Sequence, residues 1–437
     1  MRPDCPLGDD HQMREDTMKH TGDADVGHSA MLSNFEALQK TARGFVDQGV
    51  VPGVALAWQK DDGPIQYHAY GHLGFGSPVA VNERSLFRIF SMTKPITGIA
   101  AMMLVEAGSL SLDQPLSDIL PAFRDMEVVV DGDGMRTRRA SGPITIRHLL
   151  THTAGFGSAG MTLGGLYVKN GIAPGVRERV PGPGELATPK TLAELGARVA
   201  GLPLAADPGT RFDYSISLDI LGLVIETVSG MPFDRFLQQR LFEPLGMIDT
   251  GFAVDASRID RFADLPEQKG LLWTLADDPR HSRYSMPYFP SGGGGLVSTA
   301  QDYARFAAMI LNDGVWAGQP LLKPEIIHIA RSNLLPEGID RVDLPLGQTL
   351  AGIGFGAGMS VQLSPGRRTE GMFAWPGEVP VGVVGWPGAA GTACWIDPDR
   401  RFFLVLMTQY WPSWLNASMR PDIIAAAYSD MAKEKVR

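Results

Sequence analysis

Cysteine is scarce in this chain of 437 residues, which contains only Cys5 and Cys394. Two cysteines cannot form the network of bridges that stabilises small secreted domains. Cys5 also lies in a polar stretch without any pattern of regular structure, so we do not expect a bridge between the two. Both are predicted to be free thiols.

Long apolar runs are also absent. A membrane-spanning helix needs about 18 or more consecutive apolar residues, whereas a run such as 402–407 has only the length of a strand. Residues 1–29 are rich in Asp, His and Gly and lack the apolar centre of a secretory signal. We therefore expect a flexible tail over 1–29, no membrane span and a cytoplasmic location.

The chain has no dense block of Lys or Arg, and its formal net charge is -9. Proteins that bind nucleic acid or anionic membranes usually present a basic patch. Such partners are not expected, and a small, neutral or weakly charged ligand fits the composition better. The oligomeric state is left open by the sequence.

Several common catalytic motifs are missing. Ser158 lies between glycines, but their spacing is wrong for the Gly-x-Ser-x-Gly elbow of α/β-hydrolases. His148 and His152 have the spacing of a zinc pair, yet a Glu at 149 and a third ligand are absent. We interpret both histidines as structural, and expect neither a metal nor another cofactor.

What is present is a long alternation of apolar patterns. Helical spacing predicts helices at 31–46, 96–106, 144–151, 191–199, 218–228, 233–241, 300–311 and 421–431. Alternating or continuous apolar runs predict strands at 54–58, 65–70, 381–385, 392–396 and 401–409. The four glycines at 292–295 predict a turn, and Thr299 with Asp302 predicts a capping box for the helix that follows.

Ser91 opens the only Ser-x-x-Lys sequence in the chain, immediately before an apolar helical pattern. Residues three apart on a helix lie on one face, so Ser91 and Lys94 are predicted to be in contact. Pro95 indicates that the helix begins close to Ser91, because proline is tolerated where the helical N–H has no partner. The pair has the chemistry of a nucleophile and a base.

Five segments of the chain, in order, resemble the β-lactamase-like superfamily of class C β-lactamases, D,D-peptidases and family VIII carboxylesterases. They lie at 87–94, 145–156, 212–215, 242–247 and 292–296. The resemblance extends from about residue 44 to about residue 410. It implies an α+β, β-lactamase/transpeptidase-like fold, in which an antiparallel sheet flanked by helices is built from both ends of the chain.

The resemblance and the apolar patterns together predict two domains. Residues 30–109 and 289–437 are predicted to form an α/β domain, and residues 110–288 an inserted, mainly helical domain. Within the insertion, residues 155–189 are rich in Gly and Pro and are predicted to form a pocket loop.

The resemblance assigns roles to individual residues. Tyr214 matches the tyrosine of the family's Tyr-x-Asn motif, which implies that it relays protons with Ser91 and Lys94. Ile216 stands where the family has asparagine, so this amide contact is missing. The backbone N–H groups of Ser91 and Ala389 are the predicted oxyanion hole.

The family's Lys-Thr-Gly motif is replaced by Trp386, Pro387 and Gly388, which is similar to the Trp-x-Gly of family VIII esterases. Tryptophan offers an apolar face and one donor rather than a cation, which suits uncharged groups. Trp386, Gly388 and Phe156 are the predicted substrate-binding residues.

The expected activity is that of a serine carboxylesterase acting on small, short-acyl esters through an acyl-enzyme on Ser91. Two alternatives use the same nucleophile: an acyltransferase, and a β-lactamase or D,D-peptidase. A third alternative is an inert ligand-binding or sensor protein of the same fold.

Overall fold

The computed structural model describes residues 35–131, 136–158, 162–172, 182–270, 272–285, 290–339, 341–344, 348–365, 379–416 and 418–434. The predicted tail, residues 1–29, and Cys5 within it lie outside the described residues. In the predicted pocket loop, residues 159–161 and 173–181 also lie outside them.

The described α-helices are α1 Glu36–Asp47, α2 Thr93–Glu106, α3 Ile146–Leu150, α4 Gly164–Lys169, α5 Leu192–Ala200, α6 Ser217–Ser229, α7 Phe233–Leu237, α8 Glu243–Leu245, α9 Ala300–Leu311, α10 Pro324–Ala330 and α11 Met419–Glu434. Across the described residues, every helix is too short or too polar to serve as a transmembrane segment.

The described strands are β1 Gly53–Lys60, β2 Gln66–Gly71, β3 Phe87–Arg88, β4 Glu127–Val129, β5 Thr137–Arg139, β6 Leu265–Lys269, β7 Leu272–Asp277, β8 Val297–Ser298, β9 Val315–Trp316, β10 Gln319–Pro320, β11 Arg341–Asp343, β12 Thr349–Ala351, β13 Ile353–Phe355, β14 Ser360–Gln362, β15 Val384–Pro387, β16 Ala393–Asp397 and β17 Phe402–Thr408.

Seven of these strands form one antiparallel sheet, in the order β13-β14-β15-β16-β17-β1-β2. The first of the described strands therefore pairs with the last of them. In this pair Val54 lies opposite Thr408, and Lys60 lies opposite Phe402. The predicted sheet built from both ends of the chain is confirmed.

The sheet separates two apolar cores, and β17 contributes to both. All seven residues of β17 are buried, and successive side chains of a strand point to opposite faces. Phe403 and Val405 join the core that contains residues of α2 and α9, whereas Phe402 and Leu404 join the core that contains residues of α1 and α11. Cys394, on the neighbouring β16, is a buried free thiol.

The start of α9 shows how local sequence sets a helix boundary. The hydroxyl of Thr299 accepts a hydrogen bond from Asp302 N at 3.0 Å, which satisfies one of the free N–H groups of the first turn. The predicted helix at 300–311 is confirmed. The carboxylate of Asp302 instead accepts from Asp249 N and Thr250 Oγ1, so the cap differs from the reciprocal box that we predicted.

Residues 110–288 carry α3 to α8 and also two small hairpins, β4–β5 and β6–β7. The hairpins were not predicted, because a two-stranded ribbon does not need a buried face and its sequence need not alternate. Leu272 in β7, for example, is 72% exposed. The division of the chain into two domains stays a prediction.

Candidate active site

Ser91 lies at the junction between a strand and a helix. A short 3₁₀ turn, Phe90–Met92, follows β3, and α2 begins two residues after Ser91. Lys94 is therefore close to Ser91 and donates a hydrogen bond from Nζ to Ser91 Oγ at 3.2 Å. The predicted contact between the hydroxyl and the amine is present.

The strand before Ser91 is anchored by Arg88, whose side chain is fully buried. Arg88 Nε donates a hydrogen bond to Asp277 at 2.7 Å, and Nη1 donates to Ala263 O at 2.6 Å. Burial lowers the pKa of Arg88, and the charge of Asp277 opposes this shift. Removing one partner of a buried ion pair strongly destabilises a folded protein. These contacts of Arg88 therefore hold β3 in place immediately before Ser91.

Tyr214 reaches Ser91 from the irregular segment before α6. Its Oη donates a hydrogen bond to Ser91 Oγ at 2.9 Å, and Lys94 Nζ lies 4.6 Å from the centre of its ring. Tyr214 Oη also accepts a hydrogen bond from Trp386 Nε1 at 3.0 Å. The structure thus brings the three predicted catalytic residues together.

The amine end of Lys94 has a second contact, on the turn that precedes β8. Lys94 Nζ donates a hydrogen bond to Gly293 O at 2.5 Å. The other side of this turn is held by Asp219 of α6, which accepts from Gly293 N at 3.2 Å and from Ser291 Oγ at 2.5 Å. Burial raises the pKa of Asp219, while the Ser291 hydroxyl and Lys94 act in the opposite direction.

Sequence reasoning missed Asp219 and the backbone role of Gly293. The signal for Asp219 is an acidic residue in the first turn of an otherwise apolar helix, five residues after Tyr214. The glycine run at 292–295 was correctly predicted to be a turn. A Cβ on Gly292 would overlap the carbonyl oxygen of Leu218, so glycine lets this turn approach α6.

The predicted oxyanion-hole residues face the same cavity, since Ser91 and Ala389 both contribute to its wall. Gly388 lets the loop that carries Ala389 pack against the segment that precedes Ser91. A Cβ on Gly388 would overlap the backbone oxygen of Ile89, so only glycine permits this approach. Arg420, in α11, donates a hydrogen bond to Gly388 O and so holds this loop in place.

The cavity beside Ser91 has a volume of about 230 Å³. Phe90, Ile216 and Trp411 form an apolar part of its wall, and Ser158, Ser215 and Ser291 form a polar part. Among the described wall residues, the charged ones are Lys94 and Asp219. The shape and lining suit a small molecule with an uncharged apolar group.

The three predicted substrate-binding residues, Trp386, Gly388 and Phe156, do not belong to the described wall of this cavity. Trp386 and Phe156 are each 1% exposed. Phe156 packs edge-on against Phe123, with 5.8 Å between ring centres. Direct contact of Trp386, Phe156 or Gly388 with substrate stays a prediction.

The two histidines bind backbone groups. His148 Nδ1 accepts a hydrogen bond from Thr145 N at 3.2 Å and completes the N-terminal cap of α3. His152 Nδ1 accepts from Ser215 N at 3.1 Å. Both contacts agree with the interpretation of these residues as structural.

The chain matches the beta-lactamase family, described as "Beta-lactamase", over residues 38–428. It is 33% identical over 410 residues to Protein Rv1367c of Mycobacterium tuberculosis, an alignment that covers 92% of this chain and 96% of that protein. It is also 30% identical over 350 residues to Esterase EstB of Burkholderia gladioli, covering 75% of this chain and 78% of the esterase.

Solved structures share the fold. The structure of "EstCE1, a hydrolase with promiscuous acyltransferase activity" superposes with a TM-score of 0.70 at 23% identity, covering 90% of this chain and 97% of that one. This likeness confirms the predicted α+β, β-lactamase/transpeptidase-like fold.

A serine hydroxyl held between a lysine and a tyrosine, at the edge of an apolar cavity, defines a serine hydrolase or acyltransferase. The chain belongs to the beta-lactamase family. The similarity to an esterase supports the resemblance to family VIII carboxylesterases within that superfamily.

Proposed function

We propose that this protein is a serine carboxylesterase that hydrolyses small, uncharged, short-acyl esters through an acyl-enzyme on Ser91. The observation that carries the proposal is the geometry at Ser91 Oγ, which accepts hydrogen bonds from both Tyr214 Oη at 2.9 Å and Lys94 Nζ at 3.2 Å.

In the first step, Ser91 Oγ attacks the ester carbonyl carbon and its proton passes to the lone pair of Lys94 Nζ, from which Tyr214 relays a proton to the leaving group. The bond from carbon to the alkoxy oxygen then breaks, and the alcohol leaves with that proton. In the second step, water attacks the acyl-enzyme, and the acid is released by the reverse proton path. The N–H groups of Ser91 and Ala389 bind the oxyanion in both steps.

Two features of the cavity support the substrate class. Its volume of about 230 Å³ is below the range usual for drug-sized ligands, which favours short acyl groups. Trp386 stands in β15, where the family motif has a lysine, so this position supplies no cation for a substrate carboxylate.

The test compares p-nitrophenyl butyrate, p-nitrophenyl palmitate and nitrocefin as substrates of the purified protein. We expect fast turnover of the butyrate, slow turnover of the other two, and a loss of at least about 1,000-fold in Ser91→Ala. The exposed Ser111, which is not part of the described cavity wall, supplies a control in Ser111→Ala.

Faster cleavage of nitrocefin than of the butyrate would replace the proposal with a β-lactamase. Absence of any serine-dependent turnover would replace it with an inert binding protein. A fluorophosphonate should add its mass to the Ser91 peptide and to no other.

Acyl transfer is the second candidate, supported by the shared fold with EstCE1, a hydrolase with promiscuous acyltransferase activity. The same acyl-enzyme would pass its acyl group to an alcohol instead of water. An added short alcohol should then yield a new ester faster than the free acid, whereas a hydrolase yields mainly the acid.

A further inference from the structure

Tyr214 lies on a segment without regular secondary structure, between 211 and the start of α6. A hydrogen bond of 2.9 Å to Ser91 nevertheless requires its hydroxyl to be held within a few tenths of an ångström. Several of the contacts that hold this segment come from the turn after α3.

His152 binds the segment on both sides of Tyr214. His152 O accepts a hydrogen bond from Asp213 N at 2.8 Å, and His152 Nδ1 accepts one from Ser215 N at 3.1 Å. The imidazole also packs against the phenol, with 4.6 Å between ring centres. One residue thus fixes both the backbone and the ring plane of Tyr214.

The conformation of His152 indicates a position held firmly by its surroundings. Its φ of 55° lies in the left-handed region, which few residues other than glycine adopt, although histidine adopts it more often than most. The side chain is 0% exposed. Phe212 and Phe355 enclose the ring edge-on, at 5.6 and 5.5 Å between ring centres.

The hydrogen bond from Ser215 N also defines the protonation state of His152. A nitrogen that accepts a hydrogen bond carries no proton, so the proton of the neutral ring lies on Nε2. Burial holds the pKa of His152 well below its usual range, and the charge of Lys94 lowers it further. The acceptor at Nδ1 is therefore present throughout the neutral range.

We propose that His152 is a positioning residue for acyl transfer: the hydrogen bond that its Nδ1 accepts from Ser215 N holds Tyr214 at hydrogen-bond distance from Ser91. This inference rests on the proposed function, because it gives Tyr214 a part in moving the proton. His152 itself does not touch the reacting atoms.

The experiment compares His152→Asn with His152→Gln. Asparagine places its Oδ1 where histidine has Nδ1 and adopts a positive φ readily, so it can accept from Ser215 N. Glutamine places its oxygen nearer the position of Nε2 and loses that contact. We expect His152→Gln to lower kcat on p-nitrophenyl butyrate by about 10- to 100-fold with KM nearly unchanged, and His152→Asn to keep most of kcat.

His148 supplies the matched control, because its Nδ1 also accepts a backbone N–H but caps α3 instead of holding Tyr214. His148→Gln should lower thermal stability while kcat of the folded enzyme stays near the wild-type value. If His152→Gln does not fold, His152→Ala removes the same acceptor without adding bulk.

A double-mutant cycle with Tyr214→Phe separates the positioning role of His152 from the proposed function. If His152 acts through the phenol, His152→Gln should cost little more activity once the hydroxyl is gone. Full activity of Tyr214→Phe would overturn the proposed function. Strongly reduced activity of Tyr214→Phe together with full activity of His152→Gln would overturn only the role of His152. Equal losses in the Asn and Gln variants, or additive losses in the cycle, would also overturn it.

Discussion

Tyr214 Oη takes part in two hydrogen bonds that run in one direction. It accepts from Trp386 Nε1 at 3.0 Å and donates to Ser91 Oγ at 2.9 Å. Because the indole N–H can only donate a hydrogen bond, the phenolic proton of Tyr214 must point away from Trp386. Trp386 therefore orients the hydroxyl toward the nucleophile.

This arrangement predicts the effect of Trp386→Phe, which keeps an aromatic ring and removes the donor. Loss of one hydrogen bond worth about 0.5–1.5 kcal/mol should lower kcat about 2- to 10-fold. KM for p-nitrophenyl butyrate should stay nearly constant, because Trp386 is 1% exposed. Steady-state kinetics on the two proteins measures both parameters.

The opposite pattern, a raised KM with constant kcat, would restore the role in substrate binding that the sequence suggested for Trp386. Thermal unfolding of Trp386→Phe provides the control, since a large fall in stability would show that the change disturbs the surrounding core as well.

At the site, the sequence predicts local contacts better than distant ones. Ser91 and Lys94 are three residues apart, so helix geometry alone predicts that they meet. The contact of Lys94 with Gly293 joins residues that are 199 positions apart, and no periodicity indicates it. Tyr214 was identified through family resemblance rather than through spacing.

At the scale of elements, α2 must pack closely enough to present Ser91 and Lys94 to the cavity. A Cβ on Gly98, in the middle of α2, would overlap the carbonyl oxygen of Ala357. A Cβ on Gly358 would overlap the carbonyl oxygen of Lys94 in the same way. Glycine at both positions lets the helix backbone touch the turn between β13 and β14.

Two helical glycines should therefore respond in opposite directions to alanine. Gly98→Ala should lower the free energy of unfolding by about 1–3 kcal/mol, because the new methyl group meets backbone atoms that cannot move away. Gly44→Ala in α1 should raise it by about 0.5–1 kcal/mol, because the nearest atom, Gln48 Nε2, would be 3.6 Å from the new Cβ. Urea unfolding measures both changes.

Gly44→Ala is the matched control for the general preference of helices for alanine. Stabilisation by both substitutions would show that α2 and the 356–358 turn have room between them, contrary to the packing described above.

Elements with a strong pattern were predicted well. The strand predicted at 401–409 and the capped helix predicted at 300–311 agree with β17 and α9 to within a residue or two. The short strands β13 and β14 were not predicted, because three residues each are too few to establish a period. β14 joins the sheet by pairing with β15, and β13 joins it by pairing with β14.

At the scale of the whole molecule, titratable groups buried in the fold link its stability to pH. Burial lowers the pKa of His152, and Lys94 lowers it further; burial also lowers the pKa of His148. Burial raises the pKa of Asp213 and of Asp219. The histidines favour the folded state at higher pH, and the two carboxyls favour it at lower pH.

Acid should destabilise the protein through His152 below pH 6.5, the ordinary pKa of histidine. In that range the unfolded chain binds a proton that the folded protein excludes, so stability falls with pH, by up to about 1.4 kcal/mol per pH unit for this group. His152→Asn cannot bind the proton in either state. Its free energy of unfolding should therefore depend less steeply on pH between about 6.5 and 5, while Asp213 and Asp219 contribute equally to both proteins. Urea titrations at half-unit steps of pH measure the two slopes.

The partly buried His148 gives a graded comparison, since His148→Asn should flatten the curve less. Parallel curves for the wild type and His152→Asn would mean that His152 is protonated in the folded state, which would break its hydrogen bond with Ser215 and its hold on Tyr214.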